Sequence, residues 1–381
     1  MKIMTMNLRQ NFHRLNGDRA NEACVREADL LGGEQMVTVK ELAKMCDVSP
    51  STVSNILNGK PNVSEKTRQR VWQAVKETGY QPNYYAANMR KQSTRTISII
   101  AEDLGQFSTT PILEAAMACC EEHEYRTVIM NLRLYDKWRD TWYYDEKKLQ
   151  STLSPVLNEI QSIKVDGMIY VAGHGRVIKC FPENFHLPTV IAYATVENDR
   201  FPSIVLNDEK GGYDMIKYLT SMGHRRIGII AGAADNTHTK ERLLGCQRAL
   251  FEEAIPYNPE WTVYGDWDKE SGYRSAKKLA SQKLTAIYCM NDLMAGGVYD
   301  YAREQGITIG KDLSLVGYDN RQIAEYLYPG ITTNELPLKE IGIAAASKLI
   351  SMLGSEEQET VHEMIRVDGK LIIRNSVAKL G

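Results

Sequence analysis

The sequence predicts a small all-α head followed by an α/β body built on parallel sheets. Three observations carry this. Between residues 38 and 79, three short helical periods each begin at a capping residue. From Thr96 onward, short apolar runs alternate with longer amphipathic ones over a stretch long enough for two parallel sheets. The charge also breaks between the two parts. Residues 37–95 hold ten Lys or Arg against four acids, net +6, whereas the whole chain has a formal charge of −2. A basic head on an acidic body points to a polyanion partner for the head alone.

The 381 residues are 43% hydrophobic and 25% charged, which excludes wholesale disorder and a coiled-coil rod. No apolar run reaches the ~18–20 residues needed to span a bilayer, so no membrane partner is expected. The seven cysteines (24, 46, 119, 120, 180, 246 and 289) are odd in number and form no CxxC and no Cys–His cluster with zinc spacing. They read as reduced thiols of a cytoplasmic protein without a metal, although a reactive one stays open. Residues 1–35 have no apolar signal core, because Arg9, Arg14, Asp18, Arg19 and Glu22 interrupt it. Leu31-Gly32-Gly33-Glu34 can be encoded by a purine-rich stretch resembling a ribosome-binding site. The natural start is therefore expected at Met36, the alternative being a disordered tail.

In the head (36–82), Thr38 and Glu41 form a capping box, and Val39, Leu42 and Ala43 give one apolar face. Cys46-Asp47-Val48 makes a turn. Ser49 caps the second helix, with Pro50 at its first position and Val53, Ile56 and Leu57 inward. Asn58-Gly59 stops it. A third helix runs from Ser64 to Gly79, with Val71, Ala74 and Val75 inward. Two short helices on a three-residue turn read as a helix-turn-helix whose outward residues are Pro50, Ser51, Ser54 and Asn55. A three-helix protein-binding module remains the alternative. The linker (83–95) opens with Asn83, which can cap a two-turn helix too short to persist alone.

In the body (96–381), strands are expected at Ile97–Ala101, Thr127–Asn131, Gly167–Val171, Val190–Tyr193, Ile204–Leu206, Ile227–Ala231, Thr262–Tyr264, Ala286–Met290 and Ser314–Val316. Helices fill the gaps. Val361–Arg374 reads as a closing hairpin that turns at Asp368-Gly369. Parallel sheets bind ligands beyond the carboxyl ends of their strands. There stand Asn291-Asp292, Tyr318-Asp319-Asn320 and Gly265-Asp266-Trp267, and Arg242 lies in the helix after Ile227–Ala231. Carboxylates, amides, a guanidinium and an indole suit a polyhydroxylated ligand. Each also has a plainer use: Asp319 could cap a helix, Trp267 could be core, and Arg242 could salt-bridge at the surface.

The stretch VTVKELAKMCDVSPSTVSNILNGKPNVSEKTRQRVWQAVKETGYQPN resembles the DNA-binding domain of the LacI–GalR family of bacterial transcriptional regulators. Asp208-Glu209-Lys210-Gly211-Gly212, Gly223-His224-Arg225-Arg226 and Gly317-Tyr318-Asp319 resemble that family's effector domain. The resemblance implies a two-lobed, periplasmic-binding-protein-like type I body. It further implies that Lys40, Pro50, Ser51 and Asn55 meet base edges. Thr38, Ser49, Thr52, Ser54, Asn58, Thr67 and Tyr80 would hold phosphates or orient the helix. Asn83, Ala86 and Met89 would form a hinge helix in the minor groove, with Met89 where the family usually has Leu. Pro50 and Asn55 also depart from the family, and Asn favours adenine where Arg favours guanine. Arg242, Trp267, Asn291 and Asp319 fall on the family's sugar contacts, with Ser108, Thr109 and Ile112 lining the first lobe.

The partners so implied are palindromic operator DNA, a sugar-like small-molecule effector and a second copy of the chain. A phosphocarrier-protein corepressor, as in the catabolite-control branch, stays open. So does a sugar-binding protein without a DNA role. The enzyme reading finds no GxSxG, HExxH, P-loop or GxGxxG, and His174 between two glycines has no partner nucleophile. No catalytic residue and no cofactor are expected. Tyr135–Gln150 is longer and more aromatic than the family pattern and reads either as a surface helix or as a lid.

Overall fold

The structure, a computed structural model, describes residues 37–57, 63–80, 93–139, 145–354 and 363–380. The chain divides into two compact units, Met1–Gln92 and Ser93–Gly381. Residues 1–36, Asn58 and the linker positions Asn83, Ala86 and Met89 lie outside the described residues.

The head contains helices α1 (Val39–Met45), α2 (Pro50–Leu57) and α3 (Glu65–Thr78). The capping box is present: the Thr38 amide donates to Glu41 Oε2 at 2.7 Å and the Glu41 amide to Thr38 Oγ1 at 3.3 Å. The turn to α2 passes through Asp47 at φ 45°, and Ser49 Oγ accepts from the Thr52 amide at 3.1 Å. Leu42, Ala43, Cys46, Val53, Ile56, Val71 and Ala74 form the head's core. These are the inward positions of three helical periods, so burial follows the 3.6-residue repeat.

The body holds two six-stranded sheets. The first, in order β13-β7-β5-β3-β1-β2, uses β1 (Thr96–Ala101), β2 (Arg126–Asn131), β3 (Gly167–Val171), β5 (Thr189–Ala192), β7 (Ser203–Leu206) and β13 (Met364–Val367), all parallel. The second, in order β14-β12-β11-β10-β8-β9, uses β8 (Ile227–Ala231), β9 (Thr262–Tyr264), β10 (Ala286–Cys289), β11 (Ser314–Asp319), β12 (Thr332–Glu335) and β14 (Lys370–Ile372). Only β14 is antiparallel there. A small pair, β4 (Val177–Ile178) with β6 (Thr195–Val196), stands apart. Strands β1, β3, β5, β8 and β10 are buried throughout, as parallel strands covered by helices on both faces must be.

Helices α4 (Thr109–Glu122), α5 (Leu134–Trp138), α6 (Glu146–Ser162) and, later in the chain, α12 (Leu338–Gly354) belong to the first lobe. Helices α7 (Asp208–Ser221), α8 (Thr237–Glu252), α9 (Lys269–Leu279), α10 (Asp292–Glu304) and α11 (Ile323–Tyr326) belong to the second. The chain passes between lobes three times: from β7 to α7, from β12 to α12 and from β13 to β14.

The third passage corrects the expected closing hairpin. Residues 364–367 pair with β7 in the first sheet and residues 370–372 with β12 in the second. Asp368-Gly369 is thus a crossover, tied to the first one by Asn207 Nδ2 donating to Asp368 Oδ1 at 2.7 Å and by the Asn207 amide donating to the Val367 carbonyl at 2.9 Å. The body's first residues are anchored likewise, since the Thr94 and Arg95 amides donate to the Asp166 carboxylate at 2.7 and 2.8 Å.

Candidate nucleic-acid interface and effector cleft

On the head, α2 exposes Pro50 and Ser51 and leaves Thr52, Ser54 and Asn55 half-buried, opposite buried Val53 and Ile56. Ser49 Oγ lies 2.7 Å from Ser51 Oγ and 2.8 Å from Thr52 Oγ1, a compact hydroxyl cluster at the helix N-terminus. Lys40 and Thr38 are exposed at the start of α1, and Thr67 sits one turn into α3, hydrogen-bonded to Ser64 Oγ at 2.8 Å. Tyr80 is half-buried, and burial pushes its phenol pKa up. Ser51, Ser54 and Asn55 therefore sit on a rigid helix away from its core face, which groove reading requires. Exposed Met45 and Trp72, not singled out in the sequence, add apolar surface to the head.

In the body, the end of β11 and the start of α8 bring the predicted residues together. Gly212 of α7 lets α8 approach so closely that a Cβ there would lie 2.1 Å from the Arg242 carbonyl. This approach joins Asp208 to Arg242. Arg242 Nε donates to Asp208 Oδ1 at 2.7 Å, and Nη1 donates to the Met290 carbonyl. The guanidinium lies 3.7 Å from the Tyr318 ring centroid and 5.7 Å from that of Trp267. Both charges are buried, Asp208 at 3% and Arg242 at 2% exposure. Burial opposes the charge on Asp208, but Arg242 and His238 outweigh it and hold the carboxyl below the usual carboxylate range.

Trp267 is half-buried at φ 66°, and its indole covers Gly232, where a Cβ would come within 1.9 Å of it. Asn291 caps α10, with Oδ1 accepting from the Met294 amide at 2.8 Å and Nδ2 donating to the Trp267 carbonyl at 2.9 Å. Asp319 differs from all of these. It is half-buried at φ 103°, and its carboxylate has no hydrogen-bond partner among the described residues. Burial pushes its pKa well above the carboxylate range, Arg242 opposing and Asp292 reinforcing. Asp292 behind it accepts from Thr333 Oγ1 at 2.7 Å and from the Arg321 amide at 2.8 Å, and burial raises its pKa to about 6.

On the opposing lobe, Ser108 is buried and hydrogen-bonded to Tyr193. Tyr193 senses the charges of Asp319, Asp208 and Arg242, so the two walls face each other. Thr109 and Thr239 each bury a hydroxyl without a hydrogen-bond partner, one at the start of α4 and one at the start of α8. Ile112 is fully buried in the core against α12. Tyr135 donates its amide to Asp103 Oδ2 at 3.0 Å, which ties α5 to the loop after β1, while residues 140–144 are outside the described part. Residues 146–150 of the same stretch form the first turns of α6. Tyr318 stood in the strand-end set read from the sequence; Asp208, His238 and Tyr193 were not singled out as ligand contacts.

The six described cysteines are buried, and burial pushes Cys120 and Cys180 up to about 12. Among the described residues no group of three or more His, Cys, Asp or Glu could hold a metal, and no helix is long and apolar enough to cross a membrane.

A helix-turn-helix head and a two-lobed α/β body with a polar interlobe cleft together define a ligand-responsive DNA-binding regulator. Residues 38–83 match the family described as bacterial regulatory proteins, lacI family, and residues 216–377 match the periplasmic binding protein-like domain. The chain is 32% identical over 348 residues to the HTH-type transcriptional repressor PurR of Klebsiella pneumoniae (strain 342), covering 90% of this chain and 97% of that one. A solved lac repressor dimer bound to operator and the anti-inducer ONPF superposes with a TM-score of 0.72 at 23% identity, over 90% of this chain and 100% of that one. The transcriptional regulator CelR–cellobiose complex does so at 0.58 and 23%, over 89% and 99%. The chain belongs to the lacI family of bacterial regulatory proteins. It is a DNA-binding transcriptional regulator.

Proposed function

We propose that this regulator is a repressor that binds a palindromic operator as a homodimer in the cytoplasm and is controlled by a neutral polyhydroxyl effector, a sugar, held in the interlobe cleft. The observation that carries the effector class is the pairing on the cleft floor. Arg242 already has its charge balanced by buried Asp208, so it offers donors without demanding an anion. Asp319 offers a carboxylate with no hydrogen-bond partner among the described residues, and Trp267 offers an apolar face. A carboxylate and a guanidinium bridge vicinal hydroxyls, and an indole covers a sugar ring. An anionic ligand would meet Asp319 and Asp208 with only one guanidinium between them. The cellobiose held by a solved relative supports the same class.

On the DNA, Lys40, Pro50, Ser51 and Asn55 meet base edges while Thr38, Ser49, Thr52, Ser54 and Thr67 hold the backbone. Met89 opens the central base step, and a pyrimidine–purine centre costs least to open. The test is a thermal-shift screen of the full chain against monosaccharides, disaccharides and their phosphorylated forms. Neutral sugars, and not the phosphates, are expected to raise the melting temperature. A shift confined to sugar phosphates would overturn the reading.

A further inference from the structure

The lobes are bridged at several points, and one bridge is made by a residue outside the predicted effector set. His238, in the first turn of α8, reaches across to the loop after β3: the Gly175 amide donates to His238 Nε2 at 3.0 Å. The other ring nitrogen, Nδ1, lies 2.6 Å from Asp208 Oδ2. With Nε2 accepting, Nδ1 carries the hydrogen and donates it to Asp208, so the two partners fix the orientation of the ring. The Tyr193 ring of the first lobe packs at 5.6 Å from the imidazole. Gly175 leaves no room for anything larger, since a Cβ there would lie 2.6 Å from His238 Cε1. Two more exposed bridges stand beside it: the Arg321 guanidinium lies 4.5 Å over the Phe107 ring, and Arg366 of β13 donates to the Glu241 carboxylate of α8 at 2.9 and 3.3 Å.

Asp208 is what makes the His238 bridge more than a surface contact. It is the first residue of α7, next to the crossover residue Asn207, and it divides its carboxylate. Oδ1 takes Arg242, the cleft-floor guanidinium, and Oδ2 takes His238. A ligand that bonds Arg242 thus acts on the same carboxylate that aims the latch.

We infer that His238 is a positioning residue that latches the two lobes together through Gly175, with Asp208 coupling that latch to effector contact at Arg242. The coupling to an effector rests on the cleft being the effector site, but the latch itself does not. Its test therefore needs no effector, and its failure leaves the sugar reading untouched.

The experiment is hydrogen exchange with mass spectrometry on the ligand-free full chain. In His238→Ala, peptides covering residues 173–178 and 106–112 should exchange about tenfold faster than in the wild type, because the Gly175 amide loses its acceptor and both walls open. His238→Gln, which keeps one acceptor and one donor, should restore wild-type exchange. Gly175→Ala should open the same peptides by wedging the imidazole away, yet add nothing in a His238→Ala background. Peptides from β1 and β10 report whether each variant keeps its folded cores. Wild-type exchange at 173–178 in His238→Ala would overturn the inference. Failure of His238→Gln to rescue while β1 and β10 stay protected would do the same, as would additive effects of the two substitutions.

Discussion

Asp319→Asn separates binding from stability more cleanly than any other change in the cleft. The carboxylate is half-buried, has no hydrogen-bond partner among the described residues, and feels Asp208 and Asp292 as like charges, while Arg242 attracts it without bonding it. An amide of the same shape has no charge to desolvate, and Asn tolerates the positive φ of this position as well as Asp does. The polar penalty relieved is of the order of 1 kcal/mol, at the low end of the ~1–3 kcal/mol for an unsatisfied buried group, because the site is only half-buried and loses its attraction to Arg242. In a domain of this size that corresponds to a melting temperature raised by about 2–4 °C in the free protein. Binding should move the opposite way. Losing one acceptor oxygen to the sugar costs ~0.5–1.5 kcal/mol, so the sugar should bind roughly two- to tenfold more weakly. Differential scanning fluorimetry with and without the sugar reads both. A lower melting temperature in the free variant, or an undiminished shift with sugar, would refute the reasoning.

Three further outcomes follow from the same structure. Asn55→Arg should redirect the preferred half-site at one position, with discrimination of ~1–3 kcal/mol, and a binding-site selection that returned the wild-type motif would remove Asn55 from the base contacts. Arg242→Met leaves Asp208 buried with only His238 beside it and should cost about 3–5 kcal/mol by chemical denaturation, most of it recovered in the Asp208→Asn, Arg242→Met double variant. His174 has its pKa lowered to about 4, chiefly by burial, with Glu102 opposing and His238 and Arg176 reinforcing. Its neutral form is the folded one, so the stability it contributes is present above its unfolded pKa of ~6.5 and is lost as pH falls toward 4. Relative to His174→Gln, the wild type should lose about 2–3 kcal/mol over that window, a figure discounted for the ring's partial exposure. Parallel pH dependence of the two proteins would exclude this.

How much of this was legible in the sequence depended on whether the signal was local. The head was readable because caps and inward positions lie within one turn of each other: Thr38 with Glu41, and Val53 with Ile56. The buried parallel strands were readable as apolar runs such as Ile97–Ala101 and Gly167–Val171. Strand β12 was not, since Thr332-Thr333-Asn334-Glu335 is polar although its first three residues are fully buried. The false hairpin at Asp368-Gly369 has the same origin. A turn signal between two apolar runs fixes a bend, not which sheet each run joins, and here β7 and β12 claim one run each. In the cleft, Arg242, Trp267 and Asp319 stood out because strand ends mark them. Asp208 and His238 did not, because Asp208-Glu209-Lys210 and Thr237-His238-Thr239 look like ordinary helix starts. Their meeting across 30 residues of sequence is tertiary.

In the proposed function a neutral sugar in the cleft controls operator binding by the head. This control is tested most directly by fluorescence anisotropy of the full chain on an operator recovered by selection from random duplexes, titrated with the sugar found by thermal shift. A palindromic operator is expected whose affinity changes by about 5- to 150-fold at saturating sugar, with Asp319→Asn binding the same operator but needing severalfold more sugar for the response. Equal binding to all duplexes, or operator affinity indifferent to a sugar that binds the cleft, would contradict the proposed function.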